Sequence, residues 1–249
     1  MIRAILGLSV LLSLLAAPVA AQDTCPCPPE APPPPLWTGS VGLSYLATAG
    51  NSESETIGLA AAFARQPTPW GLEVQARADR AESEGEKTAE RLFGGLRGKR
   101  AFGERFELFA GASYERDVFA GFDSRVVVES GGVWKALRGP VHELAFDFGP
   151  TWTDEEPVVG PGFDYVGALA GLTYAWKISA NATFRERLVV YPSFDDSDDW
   201  RLRSETAVEA ALASSWALRA GYLFNRDNAP GPGFEKDDST TSVSLVWKR

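Results

Sequence analysis

The chain has 249 residues, 45% of them hydrophobic, with 24 basic and 33 acidic side chains and a formal net charge of −9 at pH 7. A chain this acidic gains nothing from the phosphate backbone of a nucleic acid, which excludes nucleic acid as an expected partner. The mean hydropathy of −0.13 does not by itself indicate a soluble protein. A membrane β-barrel hides its apolar surface in alternating residues.

The N-terminus has the pattern of a secretory signal peptide. A single charge, Arg3, precedes an apolar run that ends in small residues at Val19 and Ala21. A cleavage site after Ala21 fits this pattern, so we assign residues 1–21 to a signal peptide and expect export.

A segment rich in cysteine and proline follows, over residues 22–36, and includes the run CPCPPEAPPPP. Prolines favour an extended polyproline II spacer, so we interpret this segment as a periplasmic tether. Its Cys25 and Cys27, the only cysteines, suit a strained local disulfide or a pairing between chains in an oxidising compartment. Two thiolates without a third nearby ligand make a poor metal site.

From Trp37 onwards, apolar and polar residues alternate with a period of two, and clusters of Gly, Pro, Asn and Asp break the alternation. The segment beginning at Trp70 is the clearest, because apolar residues alternate there with Glu73 and Arg77. Twelve segments of roughly ten to twelve residues follow one another, about the length of a tilted transmembrane strand. We predict an all-β fold over residues 37–249, a membrane antiparallel up-and-down β-barrel of 12 strands.

The connections between these segments alternate in character. Short turns are expected on one side, at 67–69, 102–105, 136–140, 177–181 and 213–215. The other connections are more polar and often longer, among them GNSES, ESEGEK and SFDDSDD. Outer-membrane barrels combine short periplasmic turns with longer outer loops. An even number of strands then places both barrel ends beside the periplasmic tether.

Alternation alone does not separate a membrane barrel from a secreted soluble β-sandwich acting as a binding module, because both present one apolar and one charged face. Strands longer than those of globular sheets, aromatic residues near strand ends and the signal peptide favour the barrel. We therefore expect localisation in the outer membrane of a Gram-negative bacterium. The expected partners are outer-membrane lipid and lipopolysaccharide.

Several blocks spread over almost all of residues 37–249 resemble one bacterial family. They are WTGSVGLSYLATAGNSESETIGLAA, AERLFGGLRGKRAF, LFAGASYERDVFAGFDSRV and RLRSETAVEAAL. The chain resembles domain of unknown function 481, also called the salt-induced outer membrane protein family. The resemblance implies an outer-membrane β-barrel without an established substrate. Such a barrel is handed to the barrel-assembly machinery during biogenesis, although here Trp247 is followed by Lys248 and Arg249 rather than ending the chain.

The sequence offers no clear catalytic constellation. A serine hydrolase needs a serine and a histidine within reach of each other. The only histidine, His142, follows a short periplasmic turn and has no serine near it in sequence, so we interpret it as interfacial or exposed. We expect a non-enzymatic protein without a cofactor. An outer-membrane hydrolase that uses lumen or rim carboxylates is the alternative.

The predicted register points many charged residues into the lumen. Two interpretations stay open: a mixed-charge lumen neutralised across strands in a structural or envelope-stress component, and a narrow channel whose charges select solutes. The mixture of signs argues against strong ion selectivity. These residues are Glu73, Arg77, Asp79, Arg91, Arg97, Glu107, Glu115, Arg125, Glu129, Asp147, Arg185, Arg187, Arg201, Arg203, Glu205, Glu209 and Arg219.

The outer connection SFDDSDD contains four acids, Asp195, Asp196, Asp198 and Asp199. Hard cations bind several carboxylate oxygens, but the glycine and the terminal glutamate of an EF-hand loop are missing. We expect these acids to be solvated or to share divalent cations loosely with lipopolysaccharide.

Overall fold

The structure is a computed structural model that describes residues 35–48 and 54–248. The predicted signal peptide and nearly all of the tether lie outside these residues and stay predictions. Within the described residues, twelve antiparallel strands form a closed barrel in which sequence neighbours pair and β1 pairs with β12, so the predicted fold is confirmed. No helix in this part of the chain is long and apolar enough to cross a bilayer.

The strands are 11 to 17 residues long, longer at the upper end than the sequence pattern predicts. They are β1 Trp37–Thr48, β2 Ser54–Arg65, β3 Trp70–Ser83, β4 Glu86–Phe102, β5 Phe106–Asp117, β6 Phe122–Arg138, β7 His142–Pro157, β8 Phe163–Lys177, β9 Ala182–Pro192, β10 Trp200–Ala211, β11 Trp216–Asp227 and β12 Asp237–Lys248.

The connection ESEGEK is a tight turn rather than a polar loop. Strands β3 and β4 continue to Ser83 and Glu86, leaving only Glu84 and Gly85 between them. Both have positive φ, 53° and 82°, which is the backbone that a two-residue hairpin with the right strand twist requires. Glycine adopts this backbone without strain, so Gly85 lets both strands extend beyond the predicted length.

Large apolar side chains occupy the outward positions and remain exposed. Along β2, Ile57, Leu59 and Phe63 expose 45%, 51% and 48% of their surface, whereas Gly58 between them is buried. So extensive an apolar surface is unfavourable in water and favourable against lipid. One outward carboxylate departs from the pattern: Glu186 accepts hydrogen bonds from the hydroxyls of Ser204 and Thr206.

Aromatic side chains border this apolar surface at both rims. Near the short-turn rim, outward tryptophans include Trp70, Trp176 and the cross-strand pair of Trp216 and Trp247. The opposite rim carries an outward Trp152. Amphipathic rings at two heights are typical of a barrel seated between two membrane interfaces.

The inward faces of the strands divide the lumen wall into two unlike parts. On β5, β6, β8 and β9 large apolar side chains fill the interior, and Phe109, Val133, Leu169 and Val189 form a buried cluster. On β11, β12, β1 and β2 the inward residues around the middle of the barrel are mostly small, namely Gly221, Ser242, Ser244, Gly42, Ser44, Gly58, Ala60 and Ala62, although the larger Leu223 and Val246 are also inward and buried. Any open space in the lumen is therefore expected along the second part, here called the small-residue wall.

Candidate functional site in the barrel lumen

The seventeen charges predicted to face the lumen occupy strand positions that alternate with the exposed apolar residues. Every one of them except Arg185 and Arg201 makes an ion pair. The partners lie at different heights and on different strands, and they form three levels with different geometry.

Near the short-turn rim the pairs stay on the wall. They join adjacent strands or strands next to adjacent ones: Lys99 with Glu73, Lys135 with Glu107, Arg219 with Glu205, and Lys248 with Glu209. Further from this rim, beyond the middle of β3, Arg77 pairs with Asp79 of the same strand at 2.6 Å. Pairs of this kind neutralise the wall without crossing the lumen.

A middle level links four strands on the filled side. The Arg97 guanidinium donates to Glu129, with 2.8 Å between Nε and Oε1, and lies 4.3 Å from the Phe109 ring centre. Arg187 binds Asp147 through two hydrogen bonds of 2.5 and 2.6 Å. Two parallel N–H donors match a carboxylate closely, so this is the geometrically strongest of the lumen pairs.

At the outer level the pairs cross the lumen. Arg125 on β6 donates from Nη2 to Asp227 on β11 over 3.0 Å, and from Nε to Glu155 over 2.6 Å. In the ring of twelve strands β6 and β11 are five places apart, so this contact joins nearly opposite walls. We call Arg91, Glu115, Asp117, Arg125, Glu155, Arg203 and Asp227 the outer charge layer.

A second crossing lies beside the first. Arg203 on β10 is 3.5 Å from Glu115 on β5, and its guanidinium carbon is 5.2 Å from the ring centre of Phe93 on β4. Strands β4 and β10 are opposite in the ring. A circular barrel of twelve tilted strands would be ~24 Å across, wider than an arginine and a phenylalanine can span. The barrel is therefore flattened in this direction.

The outer loops also meet across the flattened mouth. The loop at 228–236 places the Phe234 ring against Gly121, where an added Cβ would lie 2.9 Å from the ring. Gly121 has a φ of 98° and follows the 3₁₀ turn Val118–Ala120, in which Asp117 accepts a hydrogen bond from the Ala120 amide. A side chain at position 121 would be strained and would displace Phe234.

Beside the crossing pairs, the small-residue wall leaves accessible space. Ala60 on β2 and Gln75 on β3 point inward, on the faces opposite Leu59 and Val74, and both are exposed. Exposure of an inward side chain requires room for water inside the barrel. The lumen is thus spanned by ion pairs on one side and accessible on the other.

The two unpaired arginines have different surroundings. Arg185 is exposed near the short-turn rim, whereas Arg201 is partly buried at the outer level. Arg201 donates from Nη2 to the Thr153 hydroxyl over 3.2 Å and lies 5.8 and 5.5 Å from the ring centres of Tyr165 and Tyr191. Its Nε has no hydrogen-bond partner among the described residues.

Several partners in these networks were not among the predicted lumen residues, notably Asp117, Lys135, Glu155 and Asp227. Each is an even number of residues from an inward position in its own strand: Asp117 follows Glu115 by two places. Counting by two to the true strand ends would have found them, but the outer strand ends extend further than the polar composition indicates.

His142 belongs to the aromatic border at the short-turn rim. Its ring stacks with Tyr174 and Trp176, and Nδ1 lies 2.8 Å from the Tyr174 hydroxyl. The histidine is exposed, as the sequence predicts, and its ring contacts are those of an interfacial residue.

The four acids of the outer loop at 193–199 are separated by local turns. The Ser193 hydroxyl accepts from the amides of Asp195 and Asp196, and the Asp196 carboxylate accepts from the Asp198 amide. Among residues 35–48 and 54–248, no three His, Cys, Asp or Glu side chains converge as metal ligands would. Loose sharing of divalent cations stays a prediction.

The fourth of these acids, Asp199, turns towards the outer charge layer. Burial raises the pKa of its carboxyl above the usual 3.8, Arg201 and Arg125 oppose the increase, and Asp227 and Glu155 add to it. The carboxylate therefore loses hydration without gaining an ion-pair partner in the described part of the chain.

A groove of about 450 Å³ lies outside the lumen. It is lined by the outward row of Leu43, Leu59, Ala78 and Leu92, which are cross-strand partners on β1 to β4. Charged residues of the outer half of the strands, Asp79, Arg80, Glu90, Arg91 and Arg116, complete its lining.

Comparison with known proteins agrees with this architecture. The family described as "Protein of unknown function, DUF481" matches residues 41–248. The uncharacterized protein YdiY of Escherichia coli (strain K12) is 28% identical over 219 residues, which cover 85% of this chain and 82% of that protein.

Among solved structures, an outer-membrane channel from Pseudomonas putida F1 superimposes with a TM-score of 0.51 at 14% identity, covering 91% of this chain and all of that one. The translocator domain of the autotransporter NalP from Neisseria meningitidis has a TM-score of 0.47 at 12% identity, over 85% of this chain and 86% of that one. The channel shares the fold of this chain, and at such identity the likeness extends to the fold alone.

Proposed function

We propose that this chain, which belongs to the family of proteins of unknown function called DUF481, forms a narrow channel in the Gram-negative outer membrane. The observation that carries the proposal is the unequal lumen. Ala60 and Gln75 are exposed to the interior along one wall, while Arg125 and Arg203 reach across the rest of it.

A conduit along the small-residue wall follows from the shape of the lumen. Side chains of glycine, alanine and serine leave space that the large residues of the opposite part fill. A barrel built only as a structural component gains nothing from water beside Ala60, because empty or wet interior space forfeits packing. A permeable barrel requires that space.

The crossing pairs make the proposed channel narrow and closed at its outer level. The side chains of the Arg125–Asp227 pair expose only 9% and 25% of their surface, so separating this pair requires water to enter the outer level and solvate both charges. The Arg203–Glu115 pair, at 3.5 Å, is looser than the doubly bonded Arg187–Asp147 pair. We therefore expect opening to break the outer level and to leave the middle level intact.

Planar-bilayer conductance tests the conduit with a matched pair of variants. Ala60→Phe places a ring into the lumen, and Ala61→Phe places the same ring into the bilayer one residue further along β2. We expect Ala60→Phe to reduce single-channel conductance by about half or more, because a narrow pore is limited by its tightest section, and Ala61→Phe to leave it unchanged.

Heat-modifiable gel migration controls for folding of both variants. A silent wild-type protein, together with silence after the crossing pairs are removed, would contradict the channel and favour the structural or envelope-stress role. Equal conductance of the two phenylalanine variants would contradict the proposed path.

A further inference from the structure

Arg201 stands apart from the other charges of the outer level. Its neighbours Arg91, Arg125 and Arg203 all contact carboxylates, but Arg201 contacts none of the described carboxylates within ion-pair distance. Its Nε is buried without a hydrogen-bond acceptor. A buried, charged donor without a partner is unfavourable, so such a group in a native protein indicates an acceptor that the chain itself does not supply.

The surroundings of Arg201 hold the guanidinium in place without forming an ion pair with it. The rings of Tyr165 and Tyr191 lie within 6 Å of its guanidinium carbon, and Thr153 accepts one hydrogen bond. Contacts between a cation and aromatic rings fix the position of the cation while leaving its charge available to an anion. Thr153 is itself fully buried, which makes this anchor rigid.

The cavity beside Arg201 is small and is lined by charged side chains of both signs. It has a volume of about 80 Å³ and is lined by five arginines and four carboxylates. Arg91 also lines it, and the Nε of Arg91 likewise lacks a hydrogen-bond acceptor among the described residues. Arg91 is nevertheless paired with Asp117, and its Nε lies 3.5 Å from Glu115 Oε1, so Arg201 is the arginine of this cavity that has no carboxylate partner among the described residues.

We propose that this cavity binds a small monovalent anion, either a halide or the carboxylate group of a solute, with Arg201 as its principal ligand. The volume of about 80 Å³ accommodates a group of this size together with bound water, since one water needs ~10–15 Å³ of such space. The mixed signs of the lumen predict little selectivity, but most of these charges are paired. The unpaired Arg201 decides the sign, and the channel conducts anions in preference to cations.

Binding is tested independently of conduction by crystals grown in sodium bromide. We expect an anomalous bromide peak within about 4 Å of the Arg201 guanidinium in the wild-type protein, the range over which a charged hydrogen bond or ion pair acts. The peak is absent in Arg201→Gln and retained in Arg185→Gln, which removes the other unpaired lumen arginine. Ordered water alone at the wild-type site would overturn the proposal.

The selectivity rests on the proposed channel function and is tested by reversal potentials in a potassium chloride gradient. We expect Arg201→Gln to lower the chloride-to-potassium permeability ratio by about fivefold, the size of a lost charge interaction in a water-filled lumen, and Arg185→Gln to lower it less.

The two readouts separate the two proposals. If the wild-type protein conducts and Arg201→Gln has the same chloride-to-potassium permeability ratio, the anion site is contradicted and the channel proposal is retained. If a bromide peak is found at Arg201 in a barrel that does not conduct, the channel proposal is contradicted and the anion site is retained. Arg201→Lys guards against misfolding of the glutamine variant, because it keeps the charge and should retain most of the anion preference.

Discussion

Aspartates of the same outer loop differ in burial and in pKa according to what surrounds them. Asp195 and Asp199 belong to one outer loop, but Asp195 is exposed and Asp199 is turned inward towards Asp227 and Glu155. Burial raises the pKa of Asp199, so its ionised form is less favourable in the folded protein than in the unfolded chain. The stabilising contribution of the neutral carboxyl is complete below pH 3.8 and is lost as the pH rises through the folded-state pKa.

The variant Asp199→Asn tests this consequence. The neutral amide avoids burying a charge, so the thermal unfolding midpoint at neutral pH should rise, by roughly 1–2 °C because solvent screens this half-exposed carboxylate. The gain should disappear below pH 3.8. Gel-migration melting curves at several pH values measure it, and Asp195→Asn serves as the exposed control. A gain independent of pH would contradict the assignment.

The outer loops determine access to the lumen. The loop at 228–236 is held at both ends of its span: Asn228 donates to the Asp198 carbonyl over 2.8 Å, and Phe234 packs on Gly121. The amide of Val158 also donates to the Gly121 carbonyl over 2.9 Å. Four loops therefore share contacts over the mouth, and displacing one is expected to loosen the others.

Phe234→Ala removes the contact that joins the mouth loops from opposite sides. We expect a higher conductance or longer open times, about twofold or more, because a hydrophobic constriction is relieved. Phe194→Ala is the control, since Phe194 lies in another outer loop and is 67% exposed. Identical records for the two variants would show that the loop at 228–236 does not limit permeation.

At the scale of the whole molecule, the flattening of the barrel brings distant strands together. Arg125 and Asp227 are separated by 102 residues in the chain, and Arg203 and Glu115 by 88. These contacts connect the two long walls of the flattened barrel across the lumen. Separating them changes the width of the lumen without changing the pairing of any strand.

Asp227→Asn weakens the Arg125–Asp227 contact across the lumen and leaves Arg125 paired with Glu155. Loss of about 1.4 kcal/mol, near the lower value for a hydrogen bond between charged groups, should increase the open population about tenfold, measured as open probability in planar bilayers. Asp123→Asn is the matched control, because Asp123 forms a similar pair with Arg116 at 2.9 Å on the exterior. An unchanged open probability in Asp227→Asn would contradict closure by the crossing pairs.

Much of this architecture is encoded locally. The strand count, the outward apolar face and the inward position of residues such as Arg125 and Glu115 follow from a period of two, because successive side chains in a strand point to opposite faces. The family match agrees with the resemblance found in the sequence blocks. The turn at Glu84 and Gly85 was missed because its polar composition resembles that of a longer loop.

Only the tertiary structure decided which inward charges meet and which stay alone. A period of two places Arg201 and Arg203 on the same face of β10, yet Arg203 reaches Glu115 across the lumen and Arg201 stays between two tyrosines. That difference depends on the closure and flattening of the whole barrel. Side-chain direction is a property of each strand, whereas distance across a lumen is a property of all twelve together.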